Sequence, residues 1–412
     1  MPEQVEERKP AKIVLREMLA QSYEDAYAAK AQGEKIGWAT SNFPQEICET
    51  LGLKVVFPEN QAAAIAARGA GQTMCDYAEG ELGYSNDLCA YARISLAYAN
   101  LKKCPNGEQD MPMPDFLLCC NNICNCVINW YENIADELGI PMIMLDLPFN
   151  DEYAPDAKRT AYIKGQFDDA IRQLEEITGK KWSEDRFNEV MENSQRTAVA
   201  WRKAASYCNY VPSPLNGFDL FNHMAVAVTS RGTKEAADAF EQLAEECAQM
   251  VKEHKSTYKV EEKHRVLFEG IACWPHLRDT SAPLKANNIN VTATVYAAAF
   301  GILYENSMDL MRAYNRIPNN IDIEAATTLR EDACRAGKVD GVVMHINRSC
   351  KLWSGIAPEM GRRLEEHLNI PVVMFDGDQA DPRNFSAGQY ETRIQGLAEI
   401  MESNKAQNKG EN

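Results

Sequence analysis

The chain contains an internal repeat, which restricts the folds open to it more than any other feature. Asp115-Phe-Leu-Leu-Cys-Cys-Asn121-Asn-Ile-Cys124 is followed, one helical stretch later, by Leu138-Gly-Ile-Pro-Met-Ile-Met-Leu-Asp146. Asp340-Gly-Val-Val-Met-His-Ile-Asn347-Arg-Ser-Cys350 leads in the same way to Leu368-Asn-Ile-Pro-Val-Val-Met-Phe-Asp376. Each copy reads as a buried strand, an Asn-x-x-Cys loop, a helix, then Ile-Pro and a second strand ending in Asp. Strands alternating with helices build parallel sheets. The expected class is therefore α/β: two Rossmann-like or flavodoxin-like lobes with mostly parallel sheets.

Further apolar runs at 36–38, 55–57, 266–268 and 291–295 supply more strands, while 161–177, 183–207, 218–228 and 235–254 are helical in pattern. Ser183 is placed to cap one of these helices and Asp219 lies near the start of another. The resulting organisation is an N-terminal α/β lobe with a leading helix (residues 1–157), a helical segment (158–260) and a C-terminal α/β lobe (261–412). Lys+Arg 43 against Asp+Glu 60 gives a net charge of −17, the wrong sign for holding a nucleic-acid backbone. No apolar run approaches the ~18 residues that span a bilayer, and the charged first residues are not a signal peptide. The expected location is the cytoplasm, where thiols stay reduced.

The 13 cysteines then need an explanation other than disulfides. Buried cysteine commonly serves as a small hydrophobe, and zinc would want close ligand pairs that this sequence lacks. Cys124 and Cys350 stand apart because the repeat sets both at a strand's carboxyl end, where ligands bind in open α/β sheets. Both also lie where a helix begins, which favours thiolate. Cys126, about 200° round a helix from Cys124, is not expected to share its metal. The chain has no P-loop motif, and Gly69-Ala-Gly71 lacks the third glycine of a dinucleotide fingerprint.

GWATSNFPQE, VFPENQAA, SNDLCAYAR, FLLCCNNICN, PSPLNGFDLF, EGIACWPH, HINRSCKLWSG and FDGDQADPRNF occur in this order. On these motifs the chain resembles the α subunits of the (R)-2-hydroxyacyl-CoA dehydratases, within the superfamily that also holds benzoyl-CoA reductases. The resemblance implies a 4Fe–4S cluster on Cys89, Cys124 and Cys350 with one iron left open, and an active-site Ser41 and Glu59. Taken alone, Ser41 would read as a helix N-cap and Glu59 as an exposed loop carboxylate.

The implied reaction removes water from an (R)-2-hydroxyacyl-CoA, giving the (E)-2-enoyl-CoA through a ketyl radical. The implied substrate is (R)-phenyllactoyl-CoA or a similar aryl-lactoyl-CoA. The implied partners are a homologous β subunit with a second cluster, and a separate iron–sulfur activator that alone uses ATP and Mg²⁺. Lys35, Arg93, Arg348, Lys351 and Arg383 lie near these motifs, where they could meet CoA phosphates or form ordinary ion pairs. Three alternatives stay open: an electron-relay subunit, a benzoyl-CoA reductase subunit, or a dehydratase specific for 2-hydroxyisocaproyl- or lactoyl-CoA.

Overall fold

A computed structural model describes residues 8–107, 109–150 and 156–410. The first seven residues of the expected leading helix lie outside these; the helix itself is Ala11–Ala31. Two four-stranded, all-parallel sheets follow. The first comprises β1 (Ile36–Ala39), β2 (Lys54–Val56), β3 (Phe116–Cys120) and β4 (Met142–Leu145), in the order β2-β1-β3-β4. The second comprises β5 (His264–Glu269), β6 (Ile289–Ala293), β7 (Gly341–Asn347) and β8 (Val372–Gly377), in the equivalent order β6-β5-β7-β8. Strand order reverses between β1 and β3 and again between β5 and β7, so each lobe opens a crevice at its central pair.

The repeat is a repeat of hydrogen bonds as well as of letters. Asp115 N–H donates to Ile36 O at 2.7 Å, and Asp340 N–H to Arg265 O at 2.7 Å. Each aspartate then accepts from the opposite N–H and from a lysine, Lys30 for Asp115 and Lys405 for Asp340. The prolines of the two Ile-Pro pairs accept equivalently, from Leu117 N–H and Val342 N–H, both at 2.9 Å. Polar side chains thus fix the strand register at the same point in each lobe.

The helical segment runs through Ala157–Thr178, Glu184–Ser206, Gly217–Thr229 and Lys234–Lys252, with Ser183 capping the second helix and an Asn216–Asp219 capping box opening the third. It has no separate core. Ile163, Phe167 and Leu174 pack with Phe116, Leu118 and Ile143 of the first sheet. Trp201, Phe221 and Phe240 pack with Val266, Phe268 and Val291 of the second. The segment binds the two lobes together by burying apolar faces against both.

The lobes also touch directly. Gly71 lies so close to the second lobe that an added Cβ would stand 2.5 Å from Ala380 O. Beside it, the fully buried Arg93 pairs with Glu79 and, at 2.9 Å, with Asp381.

Candidate active site

Three helix starts bring three cysteines to the gap between the lobes. Cys89 is the N-cap of the helix Ala90–Leu101, and Cys350 the N-cap of Lys351–Leu368. Cys124 ends the loop between β3 and the helix Cys126–Leu138. Cys89 comes from outside the repeat and is set beside Cys350 by polar contacts across the lobes. Ala90 N–H donates to Ser349 Oγ at 2.9 Å, and Gln379 Nε2 reaches both Ser349 Oγ (3.0 Å) and Cys89 Sγ (3.5 Å). Asp378 holds this loop by accepting from Ser349 N–H.

Nine cysteines are buried in the packing: Cys119 and Cys120, for example, face opposite sides of β3. Cys89, Cys124, Cys126 and Cys350 alone are half-buried. The Cys126 thiol hydrogen-bonds that of Cys89. Burial raises the Cys124 and Cys350 thiols, the latter to about 12.

Cys89, Cys124 and Cys350 line one chamber of about 110 Å³ together with Ser41 and Glu59. Ser41 does not cap a helix; Pro44 holds that position, ahead of Gln45–Thr50. Instead Ser41 N–H donates to Glu59 Oε1 at 3.0 Å, and the serine hydroxyl bonds the same carboxyl. Glu59 is half-buried in the first turn of the helix Pro58–Ala67 rather than exposed on a loop. Tyr131 O–H donates to its other oxygen at 3.4 Å. Desolvation outweighs these donors and pushes the Glu59 carboxyl up to about 7.

Aromatic rings form much of the remaining wall: Tyr91, Trp130, Tyr296, Phe300 and Trp353. The Tyr91 and Tyr296 hydroxyls bond each other, Trp274 Nε1 donates to Tyr91 Oη at 2.6 Å, and burial keeps both phenols protonated. The Trp130 indole N–H and the Gln379 side-chain oxygen are buried in this wall with no hydrogen-bond partner among the described residues. A buried donor and acceptor left without partners are costly unless a ligand completes them. None of these wall residues stands out in the linear sequence, since they converge from separate elements.

The five basic residues expected near the site take the ion-pairing alternative or cap backbone. Lys351 pairs with Asp87, Arg348 with Asp376, and Arg383 with Asp76, Glu79 and Asp381. Arg93 is the buried pair described above, and Lys35 donates to Ile177 O. Among the described residues no three His, Cys, Asp or Glu side chains are gathered for a single metal ion, and no helix is long and apolar enough to cross a membrane.

Two like-wound parallel lobes, with a cysteine-lined chamber between their strand ends, define a class of α/β enzyme that works at the cleft between lobes. Residues 40–401 match the 2-hydroxyglutaryl-CoA dehydratase, D-component family, and the chain belongs to it. It is 59% identical to the (R)-phenyllactyl-CoA dehydratase alpha subunit of Clostridium sporogenes, over 98% of both chains. It is 48% identical to the (R)-2-hydroxyisocaproyl-CoA dehydratase alpha subunit of Clostridioides difficile, over 98% of this chain and 99% of that one. Identity to the (R)-2-hydroxyglutaryl-CoA dehydratase alpha subunit of Acidaminococcus fermentans is 46%, over 96% and 98%.

Proposed function

We propose that this chain is the substrate-binding α subunit of an (R)-2-hydroxyacyl-CoA dehydratase acting on (R)-phenyllactoyl-CoA or a similar aryl-lactoyl-CoA. The reaction removes the α-hydroxyl and a β-hydrogen as water and leaves the (E)-2-enoyl-CoA, one low-potential electron being lent through a ketyl radical and returned. The observation that carries this reading is the convergence of three cysteines, the Ser41–Glu59 pair and an aromatic wall on one chamber.

The donor set fits a cluster better than a lone ion. Three thiols from three helix starts border one space, and cysteine thiolates are the ligands that hold iron–sulfur clusters. A 4Fe–4S cluster held by Cys89, Cys124 and Cys350 would supply a one-electron carrier with one iron free to polarise a substrate oxygen.

The protein side chains supply the rest. The rings of Trp130, Phe300 and Tyr296 suit a phenyl group. Trp130 Nε1–H and Gln379 Oε1 offer an unpaired donor and acceptor to a polar acyl head. Glu59, with its carboxyl near 7, can give a proton to departing hydroxide or take the β-proton, and Ser41 orients it. A chain serving only as an electron relay would need neither this acid–base pair nor a chamber. A homologous β subunit completes the enzyme, and ATP hydrolysis belongs to a separate iron–sulfur activator.

The test is anaerobic turnover by the α–β complex with activator, ATP, Mg²⁺ and a reductant. (R)-phenyllactoyl-CoA is expected to give cinnamoyl-CoA and to outcompete (R)-lactoyl-CoA. No enoyl-CoA from any 2-hydroxyacyl-CoA would overturn the reading, and preference for lactoyl-CoA would overturn the substrate.

A further inference from the structure

The chamber holds about 110 Å³, well below the roughly 300–1,000 Å³ of a site that encloses a drug-sized ligand. An acyl group can lie there; the rest of a CoA thioester must lie outside. Two larger cavities adjoin the chamber, and they differ in charge.

The first, of about 400 Å³, lies between the helical segment and the second lobe. It shares Val295, Ala299, Ile317 and Pro318 with the chamber wall, so these four residues form the partition between the two spaces. Its walls are mostly apolar, with alanines from several elements, and no Asp or Glu among the described residues lines it. That is unusual in a chain of net charge −17. Arg202 stands at its rim. The arginine Nε donates to Gly301 O at 2.5 Å, and its stem lies where a Cβ on Gly301 would be, 2.7 Å from Arg202 Cγ. Among the described residues no carboxylate pairs with it, and desolvation without a compensating acid lowers its basicity. Arg316 lines the same cavity.

The second cavity, of about 760 Å³, reaches the same cysteines from the other side. Asp87 and Asp146 line it, and Lys351, its one basic lining residue among the described residues, is already taken by Asp87 at 2.5 Å. A pantetheine arm with a phosphate-bearing end would meet carboxylates there. Mostly apolar walls leading to an arginine with no counter-ion among the described residues suit that ligand far better.

We infer that the CoA arm of the substrate reaches the chamber across the Val295–Ala299–Pro318 partition, with its phosphates held at the rim by Arg202. The inference rests on the dehydratase reading for its ligand and adds the route and the anion anchor. Ala299, on the partition, governs passage; Arg202 governs affinity for the phosphates and has no part in the chemistry.

The α–β complex is titrated calorimetrically with CoA and, separately, with pantetheine, which lacks the phosphates. Arg202→Gln is expected to weaken CoA binding about tenfold, the loss of roughly one charged contact, and to leave pantetheine unchanged. Lys351→Gln is expected to leave CoA binding as in the wild type. Ala299→Trp is expected to abolish acyl-CoA turnover at full iron content. Unchanged CoA affinity in Arg202→Gln, weakened affinity in Lys351→Gln, or full turnover in Ala299→Trp would overturn the route. Wild-type turnover of a 2-hydroxyacyl-CoA alongside such a result refutes the route alone, whereas a wild type that neither turns over nor binds CoA refutes the dehydratase reading with it.

Discussion

Replacing Glu59 by glutamine tests the electrostatics of the chamber directly. The carboxyl is held at about 7, against about 4.5 for an ordinary glutamate, because burial disfavours its charged form more than Ser41 and Tyr131 favour it. The folded chain therefore holds this proton more tightly than the unfolded chain does. The stabilisation is fully present below about pH 4.5 and is lost as the pH rises through about 7. At about 1.4 kcal/mol per pH unit, the difference amounts to at most about 3 kcal/mol. A glutamine side chain has the same shape and never ionises. The unfolding free energy of Glu59→Gln minus that of the wild type is therefore expected to grow by up to about 3 kcal/mol between about pH 4.5 and about 7, then level off. Urea unfolding across that range measures the difference, and infrared titration of the carboxyl band, wild type minus variant, gives the midpoint. A flat difference, or a midpoint at an ordinary glutamate value, would falsify the claim that desolvation governs this carboxyl. In the complete enzyme the same variant is expected to lose roughly 10²- to 10⁴-fold in turnover, the range for removal of a positioned acid or base.

Three further outcomes follow from packing and ligand geometry. Cys350→Ser and Cys124→Ser are each expected to lose iron on anaerobic purification, while Cys334→Ser, buried in the helix Ile323–Gly337, keeps it; metal analysis decides. Glu269→Ala strands Arg330, whose side chain is 2% exposed and lies 2.7 Å from that carboxylate, and is expected to cost about 3–5 kcal/mol in urea unfolding. Gly71→Ala drives a methyl to within 2.5 Å of Ala380 O and is expected to cost about 1–3 kcal/mol, measured as a lower thermal midpoint.

The legible part of this molecule was the part written twice. The Asp, Ile-Pro and Asn-x-x-Cys positions recur because each lobe needs the same strand register and the same loop at its crevice. Cys124 and Cys350 could therefore be picked out by pattern. Cys89 could not, because it reaches the site on a helix docked across the lobes by Ser349 and Gln379, and linear spacing does not encode that contact. The same holds for Trp130, Tyr296 and Arg202, whose neighbours come from distant segments. Ser41 and Glu59 looked like a cap and a surface acid when taken singly, since their meaning lies in their mutual bond. The helical segment was legible as helices; its joint burial against both sheets was not, because an amphipathic face does not name its partner.

One measurement bears most directly on the claim that substrate meets an open iron held by three cysteines. The complex, grown on ⁵⁷Fe with the β-subunit iron unlabelled, is examined by Mössbauer spectroscopy with and without (R)-phenyllactoyl-CoA. The account predicts three irons whose spectra barely respond and a fourth that changes when substrate binds. Four irons that stay equivalent and indifferent to substrate would contradict it.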